Sequence, residues 1–129
     1  MARWIGVDLD GTLAKSINST GTAIGDPILP MLERVELWLS RGREVRIFTA
    51  RASDPQQVAS IRAWLKRHGI EQCGITDRKD LEMIEFYDDK ARRVVKDTGR
   101  LCSGCRPSRI SSERNHSEHR TGKILLTDC

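Results

Sequence analysis

The sequence predicts an α/β fold built on a parallel β-sheet flanked by helices. Short apolar segments alternate with segments of helical periodicity along the 129 residues, in the order strand, helix, strand, helix, strand, strand. This alternation is typical of parallel sheets, because each parallel connection needs a long crossover. A chain of this length is expected to form one domain with a modest core.

Four segments have the composition of strands. Residues 3–9 form an apolar run that ends at an Asp-Gly turn signal, and residues 44–50 alternate before ending on small and polar residues. Residues 73–76 form a shorter candidate, and residues 82–89 end in two carboxylates. We expect these strands to form a Rossmann-like parallel sheet. Because ligands of such sheets bind beyond the carboxyl ends of the strands, we expect the site at that edge.

Two helices are predicted from apolar spacing and from signals at their ends. Residues 28–42 place Leu32, Val35 and other apolar residues at helical intervals before a terminal glycine. Residues 53–69 begin with Asp54 as a potential N-cap, continue with a proline at the first position, and end at a glycine.

The predicted domain covers residues 1–100, and residues 101–129 differ from it in composition. This second segment is rich in Ser, Arg and His and contains few apolar residues. Such a segment buries too little surface to offset its ordering entropy, so we expect a polar, basic, disordered tail. The formal net charge of +4 is compatible with a polyanionic partner without requiring one.

Four of the tail's residues, Cys102, Cys105, His116 and His119, are of types that ligate zinc. The spacing of the two histidines is shorter than usual and little apolar sequence surrounds them, so a tail is favoured over a zinc site. We expect a cytoplasmic protein with reduced thiols, since no apolar run is long enough for a membrane span or a secretory signal.

Acidic and hydroxyl side chains lie at the carboxyl ends of three of the predicted strands. They are Asp8, Asp10, Thr49, Asp88 and Asp89. On a continuing strand the side chains of Asp8 and Asp10 would lie side by side, and two such carboxylates repel each other unless a cation compensates them. Mg²⁺ prefers oxygen ligands of this kind, although a simple Asp-Gly turn also explains the segment DLDG alone.

These segments resemble the four ordered motifs of the haloacid dehalogenase (HAD) superfamily of phosphohydrolases. The motifs are DLDGT, IFTAR, the lysine of TDRKD, and YDD, and the resemblance covers about residues 3–97. The chain is also similar to small capless HAD-like proteins of bacterial and phage genomes. The resemblance implies a Mg²⁺-dependent phosphatase that works through an aspartyl-phosphate.

The resemblance also implies roles for individual residues. Asp8 would be the nucleophile, and Asp10 would protonate the leaving oxygen and then activate water. Thr49 would hydrogen-bond the phosphoryl group, and Lys79 would neutralise its charge, with Arg78 as the neighbouring competitor for that role. Arg51 would reach a substrate phosphate, as the similar position does in polynucleotide 3′-phosphatases, or it is a surface charge in front of a helix.

The metal site implied by the resemblance consists of Asp8, Asp88 and the backbone carbonyl of Asp10. Asp89 would support Asp88 or ligate through water. This set suits the reaction, because phosphate-monoester hydrolysis needs up to about 10²¹-fold acceleration and general acid–base catalysis supplies only about 10²–10⁴-fold. A nucleophile, a metal and a cationic clamp are therefore all required.

The spacing of the motifs leaves no room for a cap domain. Only 36 residues separate Thr12 from Thr49 and 29 separate Thr49 from Lys79, and the predicted helices and strands occupy them. An open site would accept a phosphate on a large partner, or a second subunit would close it. The short gap from Lys79 to YDD resembles that of 5′(3′)-deoxyribonucleotidases, so we expect a nucleotide or a nucleic-acid end as substrate.

Two other classes of function remain open at the level of sequence. A non-catalytic phosphate-binding or regulatory module of the same fold would be expected to lack the nucleophile or the lysine, and both are present. A nucleic-acid-binding protein would act through the basic tail, although no aromatic residues are interleaved with its charges. Phosphotransfer to an acceptor other than water shares the same intermediate as hydrolysis.

Overall fold

A computed structural model of the chain describes residues 3–18 and 21–104 and has the predicted α/β fold. Its four strands are β1 (Trp4–Asp8), β2 (Glu44–Phe48), β3 (Gly74–Thr76) and β4 (Met83–Tyr87). Its helices are α1 (Leu29–Ser40), the short 3₁₀ helix η1 (Ala50–Ser53) and α2 (Pro55–Arg67). No helix among these residues is long and apolar enough to cross a membrane.

All four strands are parallel, and they lie in the order β3-β2-β1-β4. The connections through α1 and α2 step from β1 to β2 and on to β3 in one direction, so right-handed crossovers place both helices on the same face of the sheet. The connection from β3 to β4 is only six residues long, from 77 to 82, and brings the chain to the opposite edge.

The main core lies between that helical face and the two helices. Alternate residues of β1 and β2, such as Val7 and Ile47, pack with Val35 of α1 and with Ile61 and Leu65 of α2, and all five are fully buried. Burying each of these side chains contributes roughly 1.5–3 kcal/mol before the entropy of ordering is subtracted. The strand alternation read from the sequence therefore decides which face carries the helices.

The opposite face of the sheet carries a smaller aromatic group. Trp4 is fully buried there and stacks on Phe48, with 6.5 Å between the ring centroids, and Phe48 contacts Phe86 at 5.0 Å. The guanidinium carbon of Arg46 lies 4.5 Å from the centroid of the Trp4 ring. The Trp4 indole also donates a 2.8 Å hydrogen bond to Asp80, which fixes the 77–82 connection against this face.

Both long helices use the predicted end signals. Asp54 accepts a hydrogen bond from the backbone N–H of Gln56 at 3.0 Å, and the proline at the first position of α2 loses no helical bond. Gly42 after α1 and Gly69 after α2 have φ of +75° and +77°, the left-handed conformation that ends helices and suits glycine.

The chain divides into two compact units, Met1–Asp88 and Asp89–Cys129. The boundary expected from composition, after residue 100, falls inside the second unit. In the described part of that unit, the backbone N–H of Val95 donates to Arg100 O and that of Cys102 donates to Arg93 O, each at 2.8 Å. These bonds enclose a turn, and the predicted tail from residue 105 lies outside the described residues.

The cysteines differ in state. Cys73 is a free, fully buried thiol, and burial raises its pKa to about 12. Cys102 is disulfide-bonded, so the expectation of reduced thiols is wrong for this residue in the structure. The other three residues considered as zinc ligands, Cys105, His116 and His119, lie outside the described residues.

Candidate active site

Three neighbouring strands bring the polar residues predicted from the sequence to one edge of the sheet. Asp8 is the last residue of β1 and pairs in register with Phe48, the last residue of β2, so Thr49 follows directly beside it. On the other side Val7 pairs with Tyr87, the last residue of β4, and Asp88 follows. Parallel register alone therefore assembles these side chains.

Asp8, Asp88 and Asp89 form an acid cluster. One carboxylate oxygen of each lies within 4.8 Å of the others, and all three residues are half-buried. The Thr12 hydroxyl lies 3.2 Å from Asp8 Oδ2, to which it donates a hydrogen bond. Three carboxylates this close repel one another when ionised, and a cation bound between them would relieve that repulsion.

The acid cluster fits a hard divalent cation. Mg²⁺ is bound by oxygen ligands at about 2.0–2.1 Å in octahedral geometry, so adjacent ligand oxygens lie about 2.9 Å apart and opposite ones about 4.1 Å apart. The oxygens of the acid cluster lie within 4.8 Å of one another, so direct ligation by all three would need the carboxylates to move inward. Half-burial leaves room for the water ligands that Mg²⁺ usually retains.

Asp10 does not lie side by side with Asp8 on a strand, as predicted, because β1 ends at Asp8. A tight turn follows, in which Leu9 O accepts hydrogen bonds from Leu13 N at 3.0 Å and Ala14 N at 2.9 Å. Gly11 lies within this turn with φ of +90°, a conformation that side chains disfavour. The turn takes Asp10 out of the strand's alternation, and its side chain is not a member of the acid cluster.

Asp10 is instead bound to Arg51. Arg51 Nε donates to Asp10 Oδ2 and Nη2 donates to Oδ1, each at 2.8 Å, which is a bidentate pair. The exposed fractions are 17% for the arginine side chain and 34% for the aspartate. The pair compensates the Asp10 charge within the chain, without the shared cation that the sequence suggested.

Arg51 is itself held by further contacts. Its Nη1 donates to Ala23 O at 3.0 Å and to Gln57 Oε1 at 3.2 Å. Gln57 Nε2 donates in turn to Gly21 O at 3.3 Å. Arg51 and Gln57 therefore join the loop before α1 to the start of α2, a role of Gln57 that sequence reasoning missed because no local pattern marks it.

Thr49 is buried, with 4% of its surface exposed. Its backbone N–H donates to Thr76 O at 2.9 Å, and its side-chain oxygen accepts a 3.2 Å hydrogen bond from the backbone N–H of Arg51. Thr49 is thus the N-cap of η1, and this short helix places the Arg51 side chain beside Asp10.

Lys79 lies on the connection between β3 and β4. It lines a surface groove with Asp80, Leu81 and Met83, and neither Asp8 nor Asp10 lines that groove. Its neighbour Asp80 is fixed to the sheet by the Trp4 indole and lies 3.5 Å from Arg46 Nη1. The lysine is therefore carried by a segment anchored on the aromatic face of the sheet.

Two ionisable groups near the candidate site have shifted pKa values. Hydrogen bonds from the Trp4 indole and from the Glu82 backbone N–H lower the pKa of Asp80 below its ordinary value of 3.8. Burial, followed by the nearby Glu85 carboxylate, raises the pKa of Tyr87 above its ordinary value of 10.0. Both shifts move the pKa further from neutral pH, where Asp80 is ionised and Tyr87 is protonated.

Comparisons with known proteins support the fold. No protein-family model matches this chain, and no curated protein gives a significant match. One solved structure, of a conserved protein coded by a locus of Bacteroides thetaiotaomicron, is similar with a TM-score of 0.57 and 18% sequence identity. The similarity covers 88% of this chain and 93% of that chain. At this identity the likeness shows a shared α/β fold alone.

Proposed function

We propose that this chain is a Mg²⁺-dependent phosphohydrolase of the HAD type, which acts through an aspartyl-phosphate on Asp8. The observation that carries the proposal is the separation of the two aspartates of DLDGT. Asp8 lies among the acids that suit a metal, whereas Asp10 forms an ion pair with Arg51. A nucleophile beside a metal and a separate acid–base group are the two roles that the reaction requires.

The proposed metal site consists of Asp8 and Asp88, with Asp89 beside them. The Asp10 backbone carbonyl, implied by the HAD resemblance, remains part of the same proposal. When bound, Mg²⁺ would neutralise the repulsion between the nucleophile and the anionic phosphoryl group. The Thr12 hydroxyl, which donates to Asp8, would help to hold the nucleophile in one orientation.

In the first step, a carboxylate oxygen of Asp8 forms a bond to phosphorus as the bond between phosphorus and the leaving oxygen breaks. The electron pair of the broken bond goes to the leaving oxygen. A leaving oxygen that needs a proton would receive it from Asp10. The Thr49 hydroxyl and the Lys79 ammonium would stabilise the charge on the phosphoryl oxygens.

In the second step, the oxygen of a water molecule bonds to phosphorus and the bond from phosphorus to Asp8 breaks. Asp10 accepts the proton of that water, inorganic phosphate leaves, and Asp8 is again a carboxylate. Another hydroxyl compound in place of water would give phosphotransfer by the same step.

The substrate that we propose is a nucleotide or a nucleic-acid end. The sheet, α1 and α2 account for the chain between the motifs, and the described residues 3–18 and 21–104 contain no inserted cap domain. Such an open edge suits a phosphate carried by a large molecule. A second copy of the chain is an alternative means of covering it.

A second candidate is a non-catalytic phosphate-binding or regulatory module. It is favoured by one observation, that both carboxylate oxygens of Asp10 already accept hydrogen bonds from Arg51. In this reading Asp10 is a structural partner of Arg51 and has no acid–base role. Such a module would bind phosphate and metal without turnover.

The test is phosphate release from an aryl phosphate, with and without Mg²⁺, by the wild type and by Asp8→Asn. We expect Mg²⁺-dependent turnover that Asp8→Asn abolishes, because the amide is a poor nucleophile. The matched control is Asp97→Asn, which makes the same chemical change in the turn of the second unit, where φ is +65° and asparagine is well suited. Turnover that survives Asp8→Asn would contradict the proposal.

A further inference from the structure

A cavity lies between the loop that precedes α1 and one face of α2. Its volume is about 300 Å³, at the lower end of the range for ligand pockets. We propose that this cavity binds a second anionic group of the substrate, a phosphate or phosphodiester one nucleoside away from the phosphate that reacts. The inference rests on the proposed function and narrows its substrate class to nucleoside bisphosphates and nucleic-acid ends, in preference to nucleoside monophosphates.

The loop wall of the cavity is held in place by three side chains of η1 and α2. Alternate backbone carbonyls of segment 21–25 each accept a hydrogen bond from one of them: Gly21 O from Gln57 Nε2 at 3.3 Å, Ala23 O from Arg51 Nη1 at 3.0 Å, and Gly25 O from Trp64 Nε1 at 3.0 Å. Because these bonds fix the segment before any ligand binds, a ligand would not have to bear the cost of ordering this wall.

The helical wall is a single face of α2, since residues three or four positions apart on a helix lie on the same side. Four residues with this spacing line the cavity, namely Ser60, Ala63, Trp64 and Arg67. The small side chains at positions 60 and 63 leave room between the helix and the loop. Trp64, which is buried, and Ile24 of the loop add apolar surface.

The polar groups of the cavity are of kinds that bind an anion. Arg67 is exposed, and within residues 3–18 and 21–104 its guanidinium has no hydrogen bond or ion pair. The hydroxyls of Thr22 and Ser60 are likewise without partners among these residues, and no described residue that lines the cavity is acidic. A guanidinium and hydroxyls donate hydrogen bonds to phosphate oxygens, so this set favours an anionic group of that size.

The cavity shares a wall with the candidate active site. Ala23 lines the cavity, and its carbonyl accepts a hydrogen bond from Arg51, whose Nη2 donates to Asp10. A single guanidinium therefore connects the cavity wall to the turn that follows Asp8. This short path suits a substrate whose two phosphates are separated by one nucleoside, with one phosphate at Asp8 and the other in the cavity.

The test compares thymidine 3′,5′-bisphosphate with the 3′- and 5′-monophosphates of thymidine, for the full-length protein with saturating Mg²⁺. We expect the wild type to prefer the bisphosphate. In Arg67→Gln the ratio of the kcat/KM values should fall about tenfold, the effect of losing one charge-assisted hydrogen bond. The loss should appear in KM, because a contact remote from the reacting atoms holds the substrate and the transition state alike.

A parallel series replaces the bisphosphate by a dinucleotide with a terminal phosphate, whose second anionic group is a phosphodiester. The larger preference over the monophosphates identifies which of the two groups the cavity receives. An equal Arg67-dependent preference for both would show that the cavity reads the charge of the second group alone.

Matched variants separate binding in the cavity from a general effect of charge or size. Lys66→Gln removes the neighbouring positive charge in the last turn of α2, outside the cavity lining, and should leave the ratio unchanged. Ala63→Leu fills the cavity and should lower the ratio although Arg67 is retained. Ala59→Leu, at another exposed alanine of α2, is its control. An equal loss in Lys66→Gln and Arg67→Gln would contradict a specific site.

The outcomes distinguish the two proposals. Turnover that requires Asp8, with the same substrate preference in the wild type, Arg67→Gln and Ala63→Leu, would overturn this inference and leave the proposed function standing. If no substrate is turned over, the proposed function fails, and calorimetric titration with the bisphosphate decides on the cavity. Affinity that falls in Arg67→Gln would support the anion site, whereas equal affinity in the wild type and this variant would overturn both.

Discussion

Asp8 and Asp10 are only two residues apart in the sequence, but they belong to different groups in the structure. Asp8 belongs to the acid cluster with Asp88 and Asp89, and Asp10 belongs to the pair with Arg51. Asp8 ends a strand and lies among carboxylates, with oxygen atoms within 4.8 Å of one another. Asp10 lies in the following turn and accepts two hydrogen bonds from an arginine at 2.8 Å. The backbone turn between them, more than their spacing, gives them opposite electrostatic surroundings.

The difference shows how one short motif can supply two kinds of carboxylate. A bound cation would relieve the repulsion between neighbouring carboxylates, whereas a guanidinium already compensates the charge of the carboxylate that it holds. Mutations in the acid cluster should therefore change the metal dependence of turnover, whereas mutations of the Arg51–Asp10 pair should leave metal binding largely unchanged.

After Asp8→Asn, which is expected to abolish turnover, the largest effect is expected from Asp88→Asn, which removes one charge from the acid cluster. A catalytic metal supplies several kcal/mol of transition-state stabilisation, so weakened binding should reduce turnover at a fixed, low Mg²⁺ concentration by about 10³-fold. The measurement is the Mg²⁺ dependence of phosphate release, together with Mn²⁺ binding followed by electron paramagnetic resonance.

Asp97→Asn provides the control for Asp88→Asn, because it removes the same charge elsewhere. Unchanged Mn²⁺ affinity in Asp88→Asn would contradict the metal site.

A smaller effect, about 10²-fold, is expected from Lys79→Gln, since one preorganised charge at the phosphoryl group typically contributes that much. The neighbouring change Arg78→Gln makes a nearly matched control and should alter kcat/KM by only a few-fold. The reverse result would assign the clamp to Arg78, and no effect from either variant would place the cationic clamp outside the 77–82 connection.

The smallest effect is expected at Asp80, which is a carboxylate in contact with a different arginine, Arg46, at 3.5 Å. Its pKa is lowered in the folded chain, first by the Trp4 indole and then by the Glu82 N–H. The resulting stabilisation is present above the unfolded-state pKa and is lost as the pH falls through the lower folded-state pKa. Urea unfolding at pH 7 and pH 3 should show that Asp80→Asn lowers stability relative to the wild type by more at pH 7 than at pH 3.

The strands, the helices and the edge that carries the polar residues could be predicted from the sequence, because they depend on local periodicity and on parallel pairing. The turn after Asp8 has a glycine signal, but the side-by-side placement of Asp8 and Asp10 was wrong. The reason is that β1 ends at Asp8, because the following residues form a turn closed by hydrogen bonds to Leu9 O.

The partner of Asp10 could not be predicted, because it lies 41 positions away in the sequence. Its position depends on η1, a single short 3₁₀ helix capped by Thr49. The sequence Thr-Ala-Arg after a strand marks Arg51 as close to the site without saying whether it faces a substrate or a neighbouring side chain. The anchoring of the Lys79 segment through Trp4 likewise depends on a contact across the sheet.

The most direct test of the central proposal is to look for the phosphoryl group on Asp8. The wild type would be mixed with acetyl phosphate and Mg²⁺, quenched in acid and digested, and its peptides analysed by mass spectrometry. We predict a hydroxylamine-sensitive phosphoryl adduct on the peptide that contains Asp8, absent without Mg²⁺ and absent in Asp8→Asn. Turnover without any such adduct, or an adduct on another residue, would contradict the assignment of Asp8 as the nucleophile.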